Sequence, residues 1–269
     1  MGPADGTRPA HATCVRRLFV ILCGFEILPK SISVRGADPR FILSEPVCVY
    51  LLDTEDGWVL LDAGLNPDNG RDAARVQERF GRFGLTPPII RDAHLLEPQL
   101  RAIGVAAVDI KHVVLSHLHY DHGGCLALFR QALFWIQRRE FEHAFGPEPG
   151  FAYFRDEYDL PGLQWQLCEG DWELLPGVRF IDTRGHTEGH QSALIELPET
   201  GTVILPFDAG DLQENFDREV LPGESCDDAA ALAALLRIKA LAVQPRTTVL
   251  LFHDAVALQA MRLSPDCYR

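Results

Sequence analysis

Short apolar runs separated by turn residues recur along most of the chain. Runs rich in Val, Ile, Leu and Phe at 15–23, 46–53, 57–62, 110–116, 132–136, 177–182, 191–197, 202–207 and 247–252 predict buried β-strands. The pairs Asp56-Gly57, Pro176-Gly177 and Thr200-Gly201 fall between runs and predict hairpins. Helical character is confined to 69–80, 93–103, 227–243 and 254–263. The third of these is dominated by Ala and Leu, and Asp227 or Asp228 is available to cap it. Hairpins with helices interspersed at intervals predict mixed sheets covered by helices, not a strict parallel alternation. Residues 146–170, rich in Pro, Gly and aromatics, read as an irregular lid or insert. Residues 1–13 read as a mobile leader and 14–269 as a single domain.

Composition narrows the function. The 269 residues carry 25 Lys+Arg against 38 Asp+Glu, a formal net charge of -13. That balance argues against nucleic-acid binding, which draws affinity from basic contacts to phosphate, and against a polybasic membrane surface. No apolar run approaches the roughly 20 residues of a membrane span. The seven cysteines are scattered without a C-x-x-C pair, which fits reduced thiols in a cytoplasmic protein better than a disulfide framework. The expected partner is a small molecule, with homodimerisation left open.

The chemistry concentrates in Ile110-Lys-His-Val-Val-Leu-Ser-His-Leu-His-Tyr-Asp-His-Gly-Gly124. A strand ending near Ser116 delivers His117, His119, Asp121 and His122 in quick succession. In extended chain, positions i and i+2 point the same way, so His117 and His119 can grip one ion. After the turn, Asp121 and His122 can face a second ion. Imidazole and carboxylate donors suit zinc and similar divalent metals. Three further strand ends offer His186, Asp208 and His253.

His117-Leu-His-Tyr-Asp-His122 resembles the H-x-H-x-D-H signature of the metallo-β-lactamase superfamily, and Gly185-His186-Thr-Glu-Gly-His190 resembles its second motif. Asp62-Ala63-Gly64 stands in the place of a structural Asp-x-Gly. The resemblance runs from about residue 15 onward and implies an α/β fold: an αββα sandwich of two mixed β-sheets flanked by helices. It implies two divalent metal ions, zinc foremost. His117, His119 and His186 would hold one, Asp121, His122 and His253 the other, and Asp208 would bridge them. Asp62 and His190 would support the ligands from behind.

Within the superfamily the chain most resembles the N-acyl homoserine lactone hydrolases that quench quorum sensing, over Asp208-Ala-Gly-Asp-Leu-Gln-Glu-Asn-Phe-Asp-Arg-Glu-Val220 and Phe252-His253-Asp254. The likeness implies opening of a lactone ring by a metal-bound hydroxide, with Asp121 also steering a proton. Phe25, Ile27, Phe41 and Tyr153 are expected to line an acyl-chain pocket, with help from other aromatics of 146–170. One departure stands out: many such lactonases carry a tyrosine three residues after the bridging aspartate, and this chain has Asp211. The same ligand string also occurs in thioesterases and in one-iron persulfide dioxygenases, and a non-catalytic scaffold is the alternative from another class.

Overall fold

The computed structural model describes residues 13–269. Most of the expected leader lies outside the described residues. Thr13 is held in place, its hydroxyl donating to the Glu196 carbonyl at 2.8 Å.

Among the described residues, eleven strands form two mixed sheets. The first contains β1 (Val15–Pro29), β2 (Ile42–Thr54), β3 (Gly57–Leu61), β4 (Ile110–Val114), β5 (Leu133–Gln137) and β6 (Gln164–Cys168), in that spatial order. Its β1-β2-β3 part is antiparallel and its β3-β4-β5-β6 part parallel. The second sheet holds β7 (Trp172–Leu175), β8 (Val178–Asp182), β9 (Gln191–Leu197), β10 (Gly201–Leu205) and β11 (Thr247–Val249). Its order is β11-β10-β9-β8-β7, with β10 and β11 parallel.

Strand alternation sorts the apolar residues into layers. Leu18 and Val20 of β1, with Tyr50 and Leu52 of β2, meet Phe180, Ile195 and Val203 of the second sheet in a central core. The neighbouring Phe19, Ile21, Val49 and Leu51 face the other way and pack beneath Leu96 and Leu100 of the helix Leu96–Ile103. On the far side, Ile181, Leu194 and Ile204 are covered by Ala234, Leu235 and Ile238 of the helix Asp228–Ala242. The Asp227 side chain caps that helix, accepting from Ala229 N and Ala230 N. Three apolar layers thus separate four structural ones.

The structure departs from the sequence pattern where polar residues interrupt it. β1 runs on to Pro29 through a bulge between Leu22 and Gly24, and β2 begins at Ile42 to pair with it. The segment 69–80 is broken at Asp72, whose carboxylate caps a new helix from Ala73. The end of the expected insert forms β6, and neither β7 nor the helix Arg138–Ala144 announced itself as an apolar run. The segment 254–263 contributes one helical turn, Ala255–Leu258. The outer edge of β1 is met by residues far along the chain, through bridges Leu18–Tyr268 and Val20–Leu263. No helix among the described residues is long and apolar enough to cross a membrane.

The Gly123-Gly124 turn lies against the loop after β3, where a Cβ on Gly124 would sit 2.2 Å from the Asn66 nitrogen and 2.5 Å from the Gly64 oxygen. Both are backbone atoms and cannot swing aside. Gly124→Ala is therefore expected to lower unfolding free energy by about 1–3 kcal/mol, measured as a drop in the urea midpoint at unchanged slope.

Candidate metal centre

Parallel pairing carries the functional loops to one edge of the sandwich. Leu61 of β3 lies opposite Val114 of β4, so Asp62 leaves its strand beside Leu115-Ser116. Wholly buried, Asp62 accepts from Ser116 N–H at 2.7 Å and from the Ser116 hydroxyl at 2.9 Å, and lies 2.8 Å from His122 Nδ1. Its φ is 60°, a left-handed conformation unusual for a non-glycine residue. In the second sheet β10 and β11 run parallel, and Leu250 N–H donates to the Ile204 carbonyl at 3.0 Å. Asp208 and His253 consequently emerge together. His186 enters from the loop after β8.

The seven residues converge as two groups sharing one carboxylate. His117, His119, His186 and Asp208 form one, Asp121, His122, Asp208 and His253 the other, and within each the donor atoms lie within 4.8 Å of one another. Asp208 is divided between them. Its Oδ2 is 3.6 Å from His117 Nε2 and 3.3 Å from His186 Nε2. Its Oδ1 is 3.2 Å from His122 Nε2 and 3.7 Å from His253 Nε2. Asp121 Oδ2 lies 2.9 Å from His122 Nε2 and 3.5 Å from His253 Nε2.

The donors fit divalent cations. His117 Nε2, His122 Nε2 and Asp208 Oδ1 are buried without a hydrogen-bond partner, a costly state for polar atoms unless an ion receives them. With the Asp62 carboxylate accepting at Nδ1, His122 turns a lone pair inward at Nε2, while its ring stacks on Phe252 at 4.4 Å. Burial, His122 and His119 hold His117 well below the usual imidazole range. Burial and His186 push His119 down to about 3. Both are thus neutral, the form that binds metal. Burial works against charge on His122 too, but Asp121, Asp208 and Asp62 outweigh it and hold that imidazole above its ordinary value.

His190 is placed differently. Its Nε2 accepts the Asp208 N–H at 3.1 Å and its Nδ1 lies 2.9 Å from the Thr183 hydroxyl. Both nitrogens are engaged, so the ring fixes the backbone of Asp208 from behind.

Residues 45–248 match the profile of the Metallo-beta-lactamase superfamily. The chain belongs to the metallo-β-lactamase superfamily. An N-acyl homoserine lactonase of Bacillus cereus is 31% identical over 256 residues, covering 94% of this chain and 98% of the relative. An N-acyl homoserine lactonase of Azorhizobium caulinodans is 29% identical over 83% of this chain and 87% of its own. A solved N-acyl homoserine lactone hydrolase, with the product N-hexanoyl-L-homoserine bound at its catalytic metal centre, superposes with a TM-score of 0.83. It shares 31% identity, covering 94% of this chain and 99% of that one. The two mixed sheets with flanking helices are the metallo-β-lactamase sandwich.

Glu140, which the sequence reading passed over, ties the two metallo-β-lactamase motifs together. Wholly buried, it accepts Leu118 N–H and the Tyr153 hydroxyl on Oε1, at 3.1 and 2.8 Å, and Gly189 N–H on Oε2 at 3.1 Å. A Cβ on Gly189 would come within 2.3 Å of the Glu140 nitrogen, so the close approach requires glycine. Nothing in the local pattern marks Glu140, one acid in a short charged helix; its role is set by long-range contact.

One cavity over the candidate metal centre takes Glu26 and Leu28 from β1 into its lining, and Phe25 and Ile27 are not part of it. Alternation along β1 turns the latter pair away, and Phe25 packs on the His94 ring at 5.6 Å. Phe41 lies 60% exposed at the end of the hairpin. Tyr153 lines an adjoining cavity shared with His119 and His186, with its ring edge-on to His119 at 4.7 Å and its hydroxyl on Glu140. Of the remaining aromatics in 146–170, Phe151 borders the cavity, Phe154 stacks on Tyr120 and Trp165 packs on Phe134.

Two outcomes follow from the supporting groups. Asp62→Asn should weaken metal affinity about 10–100-fold, read by competition with a chromogenic chelator. Glu140→Ala should cost about 1–3 kcal/mol for each buried donor it strands, read by urea denaturation of the metal-free protein.

Proposed function

We propose that the chain is a metal-dependent hydrolase that opens the lactone ring of N-acyl homoserine lactones or related lactones, using two divalent ions, zinc foremost. The observation that carries this reading is the division of Asp208, one oxygen toward each group of histidines. His117, His119 and His186 would hold one ion and Asp121, His122 and His253 the other, with Asp208 shared between the two groups. Two such ions, when bound, lower the pKa of water toward about 7 and polarise an ester carbonyl. The names of the relatives supply the lactone class.

The chain's own groups do the rest. Asp62 and His190 fix His122 and Asp208 in the orientations that ligation needs. Asp121 borders the cavity and is ionised, since His122 and His253 outweigh burial and lower its carboxyl. Its oxygens can take the proton released during attack on the carbonyl and return it to the alkoxide oxygen of the opened ring. Ser116 and Ser192 are committed to Asp62 and to the Pro206 carbonyl, so neither is a free nucleophile.

Elemental analysis of protein loaded with zinc should give two ions per chain, and a panel of homoserine lactones, simple lactones, thioesters and a β-lactam should show lactone cleavage. One ion after reconstitution, or cleavage of thioesters or β-lactam alone, would overturn the reading. Asp208→Ala should lose more metal affinity than the about 10–100-fold expected from supporting groups, and turnover should fall with it; near-normal turnover would mean the bridge is elsewhere.

A further inference from the structure

Two cavities meet over the candidate metal centre. The first, of about 190 Å³, borders His119, Asp121, His186, Asp208 and His253. The second, of about 420 Å³, borders His119 and His186 but none of the other candidate ligands. Phe151 and Ala152 belong to the walls of both. The candidate ligands thus stand at the join of a cleft with two arms. Taken together, the arms reach the size of an ordinary ligand site, about 300–1,000 Å³.

The strip that borders both arms is held in place. The Ala152 carbonyl accepts the Tyr120 N–H at 2.9 Å, which fastens it to the turn carrying His119 and Asp121. The Phe151 ring meets Phe83 edge-on at 5.1 Å. His143 Nε2 donates to the Pro149 carbonyl at 2.9 Å, and the Tyr153 hydroxyl donates to Glu140 at 2.8 Å. Between these anchors Gly150 turns the chain with a φ of 112°, a conformation that favours glycine. Anchored at both ends, the strip keeps the two arms distinct.

The arms differ in chemistry. Glu26, beside His253, and its cross-strand partner Glu45 mark the inner end of the first arm, and Asp211 also lines it. Leu28 follows Glu26 on the same face of β1, about 7 Å farther along the strand. Pro29, Ile32, Phe80 and Leu85 line this arm as well, so its outer part is apolar. The second arm is more polar, with His143, Thr187, Glu188 and Ser225 in its walls. Thr187 is 3% exposed and its hydroxyl has no hydrogen-bond partner. A hydroxyl can serve either the N–H or the C=O of an amide. One arm therefore suits an alkyl group and the other an amide.

A lactone ester has two ends, and the site distinguishes them. Asp121, which returns a proton to the alkoxide oxygen in the proposed reaction, borders the first arm and not the second. The alkoxide end accordingly lies toward the first arm, and the carbonyl end toward His119 and His186, where the second arm opens. We propose that the protein takes lactones substituted on both sides of the ester, with an acylamino group next to the carbonyl in the second arm and an alkyl group on the carbon bearing the ring oxygen in the first. A homoserine lactone fills the second arm and leaves the apolar one empty. The proposal rests on the lactone-opening reading and deepens it.

The test uses zinc-loaded protein and four five-membered lactones: the bare ring, the ring with a butanoylamino group next to the carbonyl, the ring with a butyl group on the carbon bearing the ring oxygen, and the ring with both. Each substituent is expected to raise kcat/KM about tenfold or more, and the two gains should multiply in the doubly substituted lactone. Leu85 borders only the first arm and Cys226 only the second, and both are exposed enough to admit a larger side chain. Leu85→Trp should shrink the butyl gain and spare the acylamino gain, and Cys226→Trp should do the reverse. Circular dichroism and metal content report that the variants are folded and loaded. A butyl group that brings no gain, or a butyl gain that Cys226→Trp removes and Leu85→Trp does not, would overturn the assignment and leave the lactonase reading standing. If no lactone is opened, the lactonase reading falls, and calorimetric titration with the ring-opened hydroxy acids decides the two arms. Binding of the doubly substituted acid about tenfold tighter than either singly substituted one, with the butyl share lost in Leu85→Trp, would support them; equal binding of all the acids would overturn them.

Discussion

One carboxylate organises the functional edge of this protein. Asp208 must offer an oxygen to each of two histidine groups, one centred on the loop after β4 and the other reaching across to the loop after β11. That requirement explains features that would otherwise be expenses without return. Phe207, just before it, holds a left-handed φ of 49° while buried against Tyr50 and Phe252. His190 gives both ring nitrogens to fixing the Asp208 backbone and its own loop. Non-glycine residues in such conformations cost about 1–3 kcal/mol each and persist where the surroundings demand them. Asp62, which orients His122, carries the same kind of strain.

The electrostatics follow from the same geometry. Histidines packed against one another in a dry space cannot all be charged, so His117 and His119 are neutral ligands in waiting. His122 and His253 are the exceptions, because neighbouring carboxylates outweigh burial at both rings. A divalent cation would reconcile these opposite tendencies, taking the lone pairs of the neutral rings and supplying the positive charge that the carboxylates otherwise draw from the other imidazoles. The desolvation that makes these donors costly by themselves would make ligation of an ion favourable.

The candidate metal donors were legible because each lies at a strand end, within a few residues of an apolar run that reads clearly. Strand order could not be read in this way, yet it decides which strand ends meet. The parallel pairings β3–β4 and β10–β11 bring Asp62 to Ser116 and Asp208 to His253. The cavity walls are harder to read. A chain of alternating residues gives two faces, and the bulge near Gly24 together with the pairing to β2 determines which one faces the cavity. The resemblance to lactonases pointed to Phe25, and its neighbour Glu26 borders the cavity beside Asp121 and His253. Glu140 was invisible because its partners, Leu118 and Gly189, are distant in sequence.

The covering of β1 carries a consequence for how the chain acquires its structure. A strand of this length on the rim of a sheet exposes a row of unsatisfied amides that invites pairing with other molecules. Here Tyr268 and Leu263 occupy part of that row, and Ile89 bridges to it at Phe25. β1 therefore waits for residues far along the chain before this part of its rim is closed. Contacts so distant in sequence form late and slowly. During that interval the nascent protein presents an open template, and its propensity to aggregate is governed by the time to closure as much as by the stability of the finished fold.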